Sequence, residues 1–376
     1  MEEINKDLKI ERLRDKKLAL FFTYGVSLEL WEKRGLLNRE LKLYQELGKY
    51  FNKIYFLTYG RNDYKFAEEF RKYNIEVLYK KSLLPNILYS IFYILYYRRE
   101  LKQCDYFKTN QMSGSWSAVL AKWFFKKKLI VRTGYPLSAN AKKENWFKYV
   151  LTCLVEFVAW RSANQIVVAT EYERGRLLRY QHKLKIISNY VDTNLFRPLP
   201  KIAPTNKTRT ILFVGRLSSE KNLSNLVLAL NGVPDVKLCL IGSGESQEEL
   251  SRLAKENSVN IEFLGNISHE QLPKYINQAD IFALVSLYEG NPKALLEAMA
   301  CGVPVLATRV RGIDNIVQHE VNGYLSGTDV VSLRQSIITM LFRLELLNKL
   351  GVAAQQKIVN QHSLNKVLTL ELTNYD

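Results

Sequence analysis

Cysteine is scarce: there are four in 376 residues, at 104, 153, 239 and 301, with no CxxC pair. This spacing excludes a disulfide framework and a thiolate metal site, and leaves reduced, mostly buried thiols. Histidine is as sparse, with four residues and no i, i+4 pair, so a histidine-based metal centre has no footing. No stretch reaches the roughly 18 apolar residues that a membrane-crossing helix needs. The nearest are 86–97 (NILYSIFYILYY) and 149–160 (YVLTCLVEFVAW), which read as buried helices or interfacial segments. The opening MEEINKDLKIERLRDKK contains no apolar run. It lacks the core of a secretory signal, so a cytoplasmic location is expected.

The length exceeds a usual single domain, and the hydrophobic share of 47% suffices for two cores. The net charge of +17 is unevenly spread. Residues 1–200 hold 37 Lys+Arg against 20 Asp+Glu, whereas 201–376 hold 17 of each. All five tryptophans and 18 of the 22 tyrosines also fall in the first 200. A basic, aromatic surface suits the anionic face of a membrane, with 86–103, 121–128 and 142–161 as docking candidates. A solvated lysine-rich face has the same composition. Nucleic acid is not expected as a partner, because no RRM, KH, helix-turn-helix or zinc-finger signature is present.

Short apolar runs alternate with helical stretches along the whole chain. LALFF (18–22), KIYFLTY (53–59), IEVLY (75–79), YFKTN (106–110), LIVRT (129–133), QIVVA (165–169) and KIIS (185–188) form a first series. TILFVG (210–215), VKLCLIG (236–242), NIEFLG (260–265), IFALVS (281–286), VPVLAT (303–308) and GYL (323–325) form a second. Strand–helix–strand alternation with continuous Val/Ile/Leu runs predicts parallel sheets covered on both faces. Between the series, RPLPKIAPTNKT (197–208) has three prolines and no periodicity, as an interdomain linker would. The expected architecture is α/β: two Rossmann-like, doubly wound domains, 1–200 and 201–357, facing across a cleft. Ligands of such sheets lie beyond the C-terminal ends of the strands.

Two segments carry candidate chemistry. In YEGNPKALLEAMACGVPVLA (288–307), Glu289 follows a strand and Glu297 lies about a turn and a half into the next helix. Pro292 fits that helix's first turn, so the amides of Lys293, Ala294 and Leu295 would face an anion such as a diphosphate. The flanking carboxylates could accept from vicinal hydroxyls, or be a loop charge and a solvated helix residue. In ILFVGRLSSEKN (211–222), a strand ends at Gly215, and Arg216 and Lys221 bracket the turn into a helix. Two cations there could clamp a departing phosphate, or be ordinary surface charges.

The run FVGRLSSEKN, LIGSGE (240–245), FLGNISHEQLPKYINQADIF (263–282), YEGNPKALLEAMACGVPVLAT and VNGYL resembles the retaining GT-B glycosyltransferases of family four in order and spacing over about 150 residues. RGLLNREL and KIISNYVDTNLFRP extend the likeness into the N-terminal half. The resemblance implies that Arg216 and Lys221 hold the donor diphosphate, Glu297 the ribose hydroxyls and Glu289 the donor sugar. It further implies that amides from Asn291 to Leu295 touch sugar and phosphate, and that backbone near Asn266 and Ile267 meets the base. Gly35 would let the N-terminal loop approach the phosphates, and 358–376 would cross back onto the first domain. The expected activity moves a hexosyl-type sugar from a nucleotide-diphosphate sugar to a hydroxyl of a lipid-linked or surface glycan, with retention. No cofactor or metal is implied, since the Asp-x-Asp pair of the GT-A alternative is missing.

There are departures from the family's pattern. No histidine follows LIVRTGYP, where Arg132, Thr133 and Tyr135 stand instead; Arg34 replaces a glycine before Gly35; and Pro292 replaces another glycine. Rival readings are weaker. A dehydrogenase would rest on Gly242-Ser-Gly244 alone, and Gln247 breaks the fingerprint. A GT-B epimerase shares the architecture, and a noncatalytic sugar-nucleotide-binding scaffold would not need Arg216, Lys221, Glu289 and Glu297 together.

Overall fold

A computed structural model describes residues 13–134, 137–138, 145–200 and 208–375. Tyr135, residues 142–144 of one docking candidate and most of the proline-rich linker lie outside them. The chain forms two compact units, Met1–Ile187 with Leu368–Asp376, and Ser188–Val367.

The first unit is built on a sheet of seven strands among the described residues: β1 (Lys17–Phe21), β2 (Lys53–Leu57), β3 (Ile75–Leu78), β4 (Tyr106–Thr109), β5 (Lys128–Thr133), β6 (Gln165–Val168) and β7 (Leu184–Ile186). All pair in parallel in the order β3-β2-β1-β4-β5-β6-β7. The continuous apolar runs explain the parallel pairing, because helices cover both faces; in β1 everything after Lys17 is buried.

Leu368–Asp376 completes this unit. Glu371, fully buried, pairs with the equally buried Lys108 of β4, and Arg132 Nη1 stands 3.8 Å from its other oxygen. Burial pushes the Glu371 carboxyl up, but the charges of Lys108 and Arg132 outweigh burial and hold it below the ordinary value. Tyr106 donates to the Tyr375 carbonyl, and Lys185 of β7 to that of Thr373. Arg132 also donates to the Ile187 carbonyl at 3.2 Å. Thr133 is buried at the same strand end.

The second unit has a six-stranded sheet among the described residues: β8 (Arg209–Val214), β9 (Val236–Ile241), β10 (Asn260–Gly265), β11 (Ile281–Leu284), β12 (Val305–Thr308) and β13 (Tyr324–Ser326). Its order is β10-β9-β8-β11-β12-β13, again all parallel. Both sheets thus reverse direction once, beside their first strand, as doubly wound sheets do. The unit begins ahead of the prolines because Val191 and Phe196 are buried in the second core. Val191 also exchanges backbone bonds with the end of the chain, donating to His362 and accepting from Leu364.

Candidate functional site

The second sheet reverses between β8 and β11, so the crevice expected of its topology lies where those two strands end. Strand β8 runs into Gly215 and Arg216, then into a short 3-10 turn, Ser219–Lys221. Strand β11 runs through Ser286 and Glu289 to the helix Lys293–Ala300. The two loops are stitched together: the Leu287 amide donates to the Glu220 carbonyl at 2.9 Å. Lys221 Nζ lies 2.7 Å from Glu289 Oε1, and Ser286 Oγ donates to the same oxygen at 2.7 Å. The Glu289 amide in turn reaches the Arg311 carbonyl beyond β12 at 3.3 Å.

Lys221 and Glu289 are therefore an ion pair, not two separate groups awaiting a ligand. Both side chains are largely covered, at 18% and 11% exposure, which strengthens their attraction over that of a surface pair. Glu289 Oε2 is the oxygen outside that pair. Arg216 is exposed, and its guanidinium has no hydrogen-bond or ion-pair partner among the described residues. Beside them, burial pushes the Glu220 carboxyl up, but hydrogen bonds within its own loop and the charges of Lys221 and Arg216 outweigh it and hold it below the usual glutamate value.

Pro292 is the residue just before the helix, with φ −73° and ψ 107°, and not part of its first turn. Proline's fixed φ suits this extended position as well as a helical one. Lys293, Ala294 and Leu295 are consequently the first three helical residues, whose amides have no acceptor within the helix. The Asn291 carbonyl is held by Asn189 Nδ2 at 2.8 Å.

Glu297, the fifth residue of this helix, is buried rather than solvated. Its Oε1 lies 3.0 Å from Nε2 of His269, another buried side chain, whose ring packs 4.9 Å from that of Phe196. His269 follows β10, as do Asn266, which is exposed and bonded to Ser243, and Ile267, whose side chain packs on the core. At Gly215 a Cβ would come within 2.9 Å of the Phe213 ring, and at Gly242 (φ +130°) within 1.9 Å of the Gly215 carbonyl oxygen. The loops after β8 and β9 are close enough to require glycine.

A family model described as glycosyl transferases group 1 matches residues 199–357. These residues belong to that family. An uncharacterized glycosyltransferase of Haemophilus influenzae is 34% identical over 181 residues, covering 46% of this chain and 50% of that protein. A GDP-mannose-dependent monoacylated alpha-(1-6)-phosphatidylinositol monomannoside mannosyltransferase of Corynebacterium glutamicum is 33% identical over 152 residues, 38% of this chain and 40% of that protein. The chain thus spans half or less of the length of these curated relatives. Anabaena HepE, solved in complex with UDP and glucose, has the same fold, with a TM-score of 0.75 and 18% identity over 96% of this chain and 99% of that one. The fold is GT-B, two parallel α/β sheets.

Within the group 1 segment, the loops at the sheet reversal bring Lys221, Ser286 and Glu289 together, with Gly215 and Arg216 leading into the first loop; Glu297, on the helix that follows the second, pairs with His269 from the loop after β10. Sequence reasoning missed His269, since nothing local marks it as the partner of a carboxylate 28 positions away. Gly35 belongs to the first unit, between the helices Leu28–Lys33 and Leu37–Leu47. Its φ of +64° requires glycine, while a Cβ there would meet nothing within 4 Å. Left-handed backbone, not crowding inside the protein, accounts for this glycine. Among the described residues, no three His, Cys, Asp or Glu side chains are grouped to hold a metal ion.

Proposed function

We propose that this chain is a retaining transferase that moves a hexosyl group from a nucleotide-diphosphate sugar to a hydroxyl of a lipid-linked or surface glycan, without a metal. The observation that carries this reading is the Lys221–Glu289 pair at the sheet reversal, beside the start of the 293–300 helix. It sets a cation for phosphate next to a carboxylate for sugar hydroxyls. With Oε1 of Glu289 held by Lys221 and Ser286, Oε2 takes the sugar's 3- and 4-hydroxyls. In the same way His269 holds Oε1 of Glu297 and leaves Oε2 for the ribose.

The bond that breaks joins the anomeric carbon to the diphosphate oxygen, and negative charge accumulates on that oxygen. Arg216, Lys221 and the amides of Lys293 to Leu295 would receive it, each already oriented before the reaction. The acceptor oxygen attacks from the face that the diphosphate leaves, and its proton passes to the departing phosphate. Glu289 positions the sugar and forms no bond to it. The lipid acceptor named for the Corynebacterium glutamicum relative supports a membrane-borne acceptor here. HepE binds UDP, whereas that relative uses GDP-mannose, so both bases belong in a donor panel.

The test is thermal shift and product analysis with UDP-, GDP- and ADP-sugars, with and without polyprenyl-linked glycan. Donor-dependent stabilisation, with an α-linked product from an α-linked donor, is expected. An altered sugar nucleotide released without acceptor would instead make the chain an epimerase, and no response to any donor would leave it a scaffold.

A further inference from the structure

Three helices of the first unit carry large apolar residues outward. In Asn86–Tyr96, the exposed residues are Ile87, Leu88, Ile91, Phe92, Leu95 and Tyr96, repeating every fourth position as one stripe. The opposite face, buried on the unit, holds Tyr89, Ser90, Tyr93 and Ile94. In Trp146–Ser162 the exposed stripe is Trp146, Phe147, Val150, Leu151, Leu154 and Phe157, whereas the buried face includes Glu156, bonded to Ser138. The third helix, Ser115–Phe125, exposes Trp123 and Phe124 at 58% and 62%. Ordinary surface helices have the opposite arrangement, polar outside and apolar inside.

Ser115–Phe125 packs against both of the other helices. Tyr93 donates to Ser117 at 2.8 Å on one side, and on the other Lys122 bonds to the Ser162 carbonyl and to Asn164. Where the middle helix ends, Lys122, Lys126, Lys127 and Lys128 line an open depression of about 380 Å3 with Trp123 and Asn164. Arg98 and Arg99 are exposed just past the end of the first stripe. A patch this apolar marks an interaction site, and its rim is cationic. Charge complementarity therefore selects the partner.

We propose that these three helix faces form one docking surface for an anionic phospholipid bilayer. The Ile/Leu/Phe/Trp stripes enter the interface between headgroups and acyl chains, and the lysines of the depression meet headgroup phosphates. No helix among the described residues is long and apolar enough to cross a membrane, so the contact lies in the plane of the surface. The proposal rests on the transfer reading only for the lipid-linked acceptor that such a surface would deliver.

Docking is measured on the full chain without donor, by sedimentation with phosphatidylcholine vesicles, alone or with 30 mol% phosphatidylglycerol as an order-of-magnitude choice of charge (about one headgroup in three). At least about tenfold tighter binding to the anionic vesicles is expected, narrowing as salt is raised. Ile91→Glu/Leu154→Glu should weaken binding to both vesicles by about tenfold or more, while Lys126→Gln/Lys127→Gln should remove only the preference for anionic lipid. Wild-type binding that ignores lipid charge, or an Ile91→Glu/Leu154→Glu variant that binds as tightly as wild type, overturns the proposal. So does a wild-type dimer that this variant splits without any vesicle binding, which would make a second copy the occupant. Donor thermal shift on the same samples separates the two ideas. A retained shift without docking sinks the surface alone, and docking without a shift sinks the transfer reading alone.

Discussion

The two units share a topology but use charge differently. The first carries the net positive charge and the tryptophans, turns apolar helix faces outward, and buries an ion pair, Lys108–Glu371, to seat the end of the chain. The second is close to electrical balance, with 18 Lys+Arg against 16 Asp+Glu, and its charged groups of interest are gathered at the tips of β8 and β11 and on the helix that follows. The same strand order thus supports a surface and a clasp in one unit and a cluster of paired polar groups in the other. Fold alone does not assign function, and the side chains at the strand ends have to be read separately.

The division can be broken most severely at the clasp. Glu371→Ala leaves Lys108 buried without its counter-charge and should cost about 3–5 kcal/mol of stability, read by urea unfolding. Near-zero loss would mean that the return of the chain does not hold the first unit together. The wild-type pair has a pH signature as well. With its folded value below the ordinary 4.5, Glu371 contributes stability that is complete above that pH and is lost as acid titrates the carboxylate through the depressed value. Unfolding midpoints between pH 7 and pH 3 would show it.

A smaller effect is expected on stability, but a large one on rate, at Arg216. The side chain is exposed and makes no hydrogen bond or ion pair among the described residues, so Arg216→Ala should leave the melting temperature unchanged while lowering transfer by about 3–4 kcal/mol, or two to three orders of magnitude in kcat/KM. Full activity would remove Arg216 from the phosphate. His269→Ala should weaken donor binding by about 1–2 kcal/mol through a mispositioned Glu297, and His269→Gln should recover part of it, as calorimetric titration with nucleotide would reveal. The mildest is Gly35→Ala in the first unit. Open space around it limits the cost to left-handed strain, about 1 kcal/mol in thermal unfolding.

All thirteen strands among the described residues were legible, most of them because a strand covered on both faces is largely apolar, as in the runs LCLI and IFAL. The segment around Glu289 and Glu297 was also legible, since both positions follow directly from a strand end and a helix start. The pairing was not. Lys221 and Glu289 are 68 positions apart, and either could equally have faced solvent. His269 gave no local sign of its carboxylate partner, and Arg132, which stands in the region where the family's histidine is missing, belongs to the clasp around Glu371. The segments 86–97 and 149–160 left buried and interfacial readings open, and the structure excludes burial for most of their apolar residues.

What the amino-acid order determined by itself was local: period, strand tips, glycine turns and the placement of charge along the chain. Those are set by interactions among near neighbours and by the demand that apolar runs leave water. Which carboxylate meets which cation, and which face of an apolar helix is left uncovered, was decided only when distant segments packed. A side chain's partner depends on distances in space that the one-dimensional pattern does not contain.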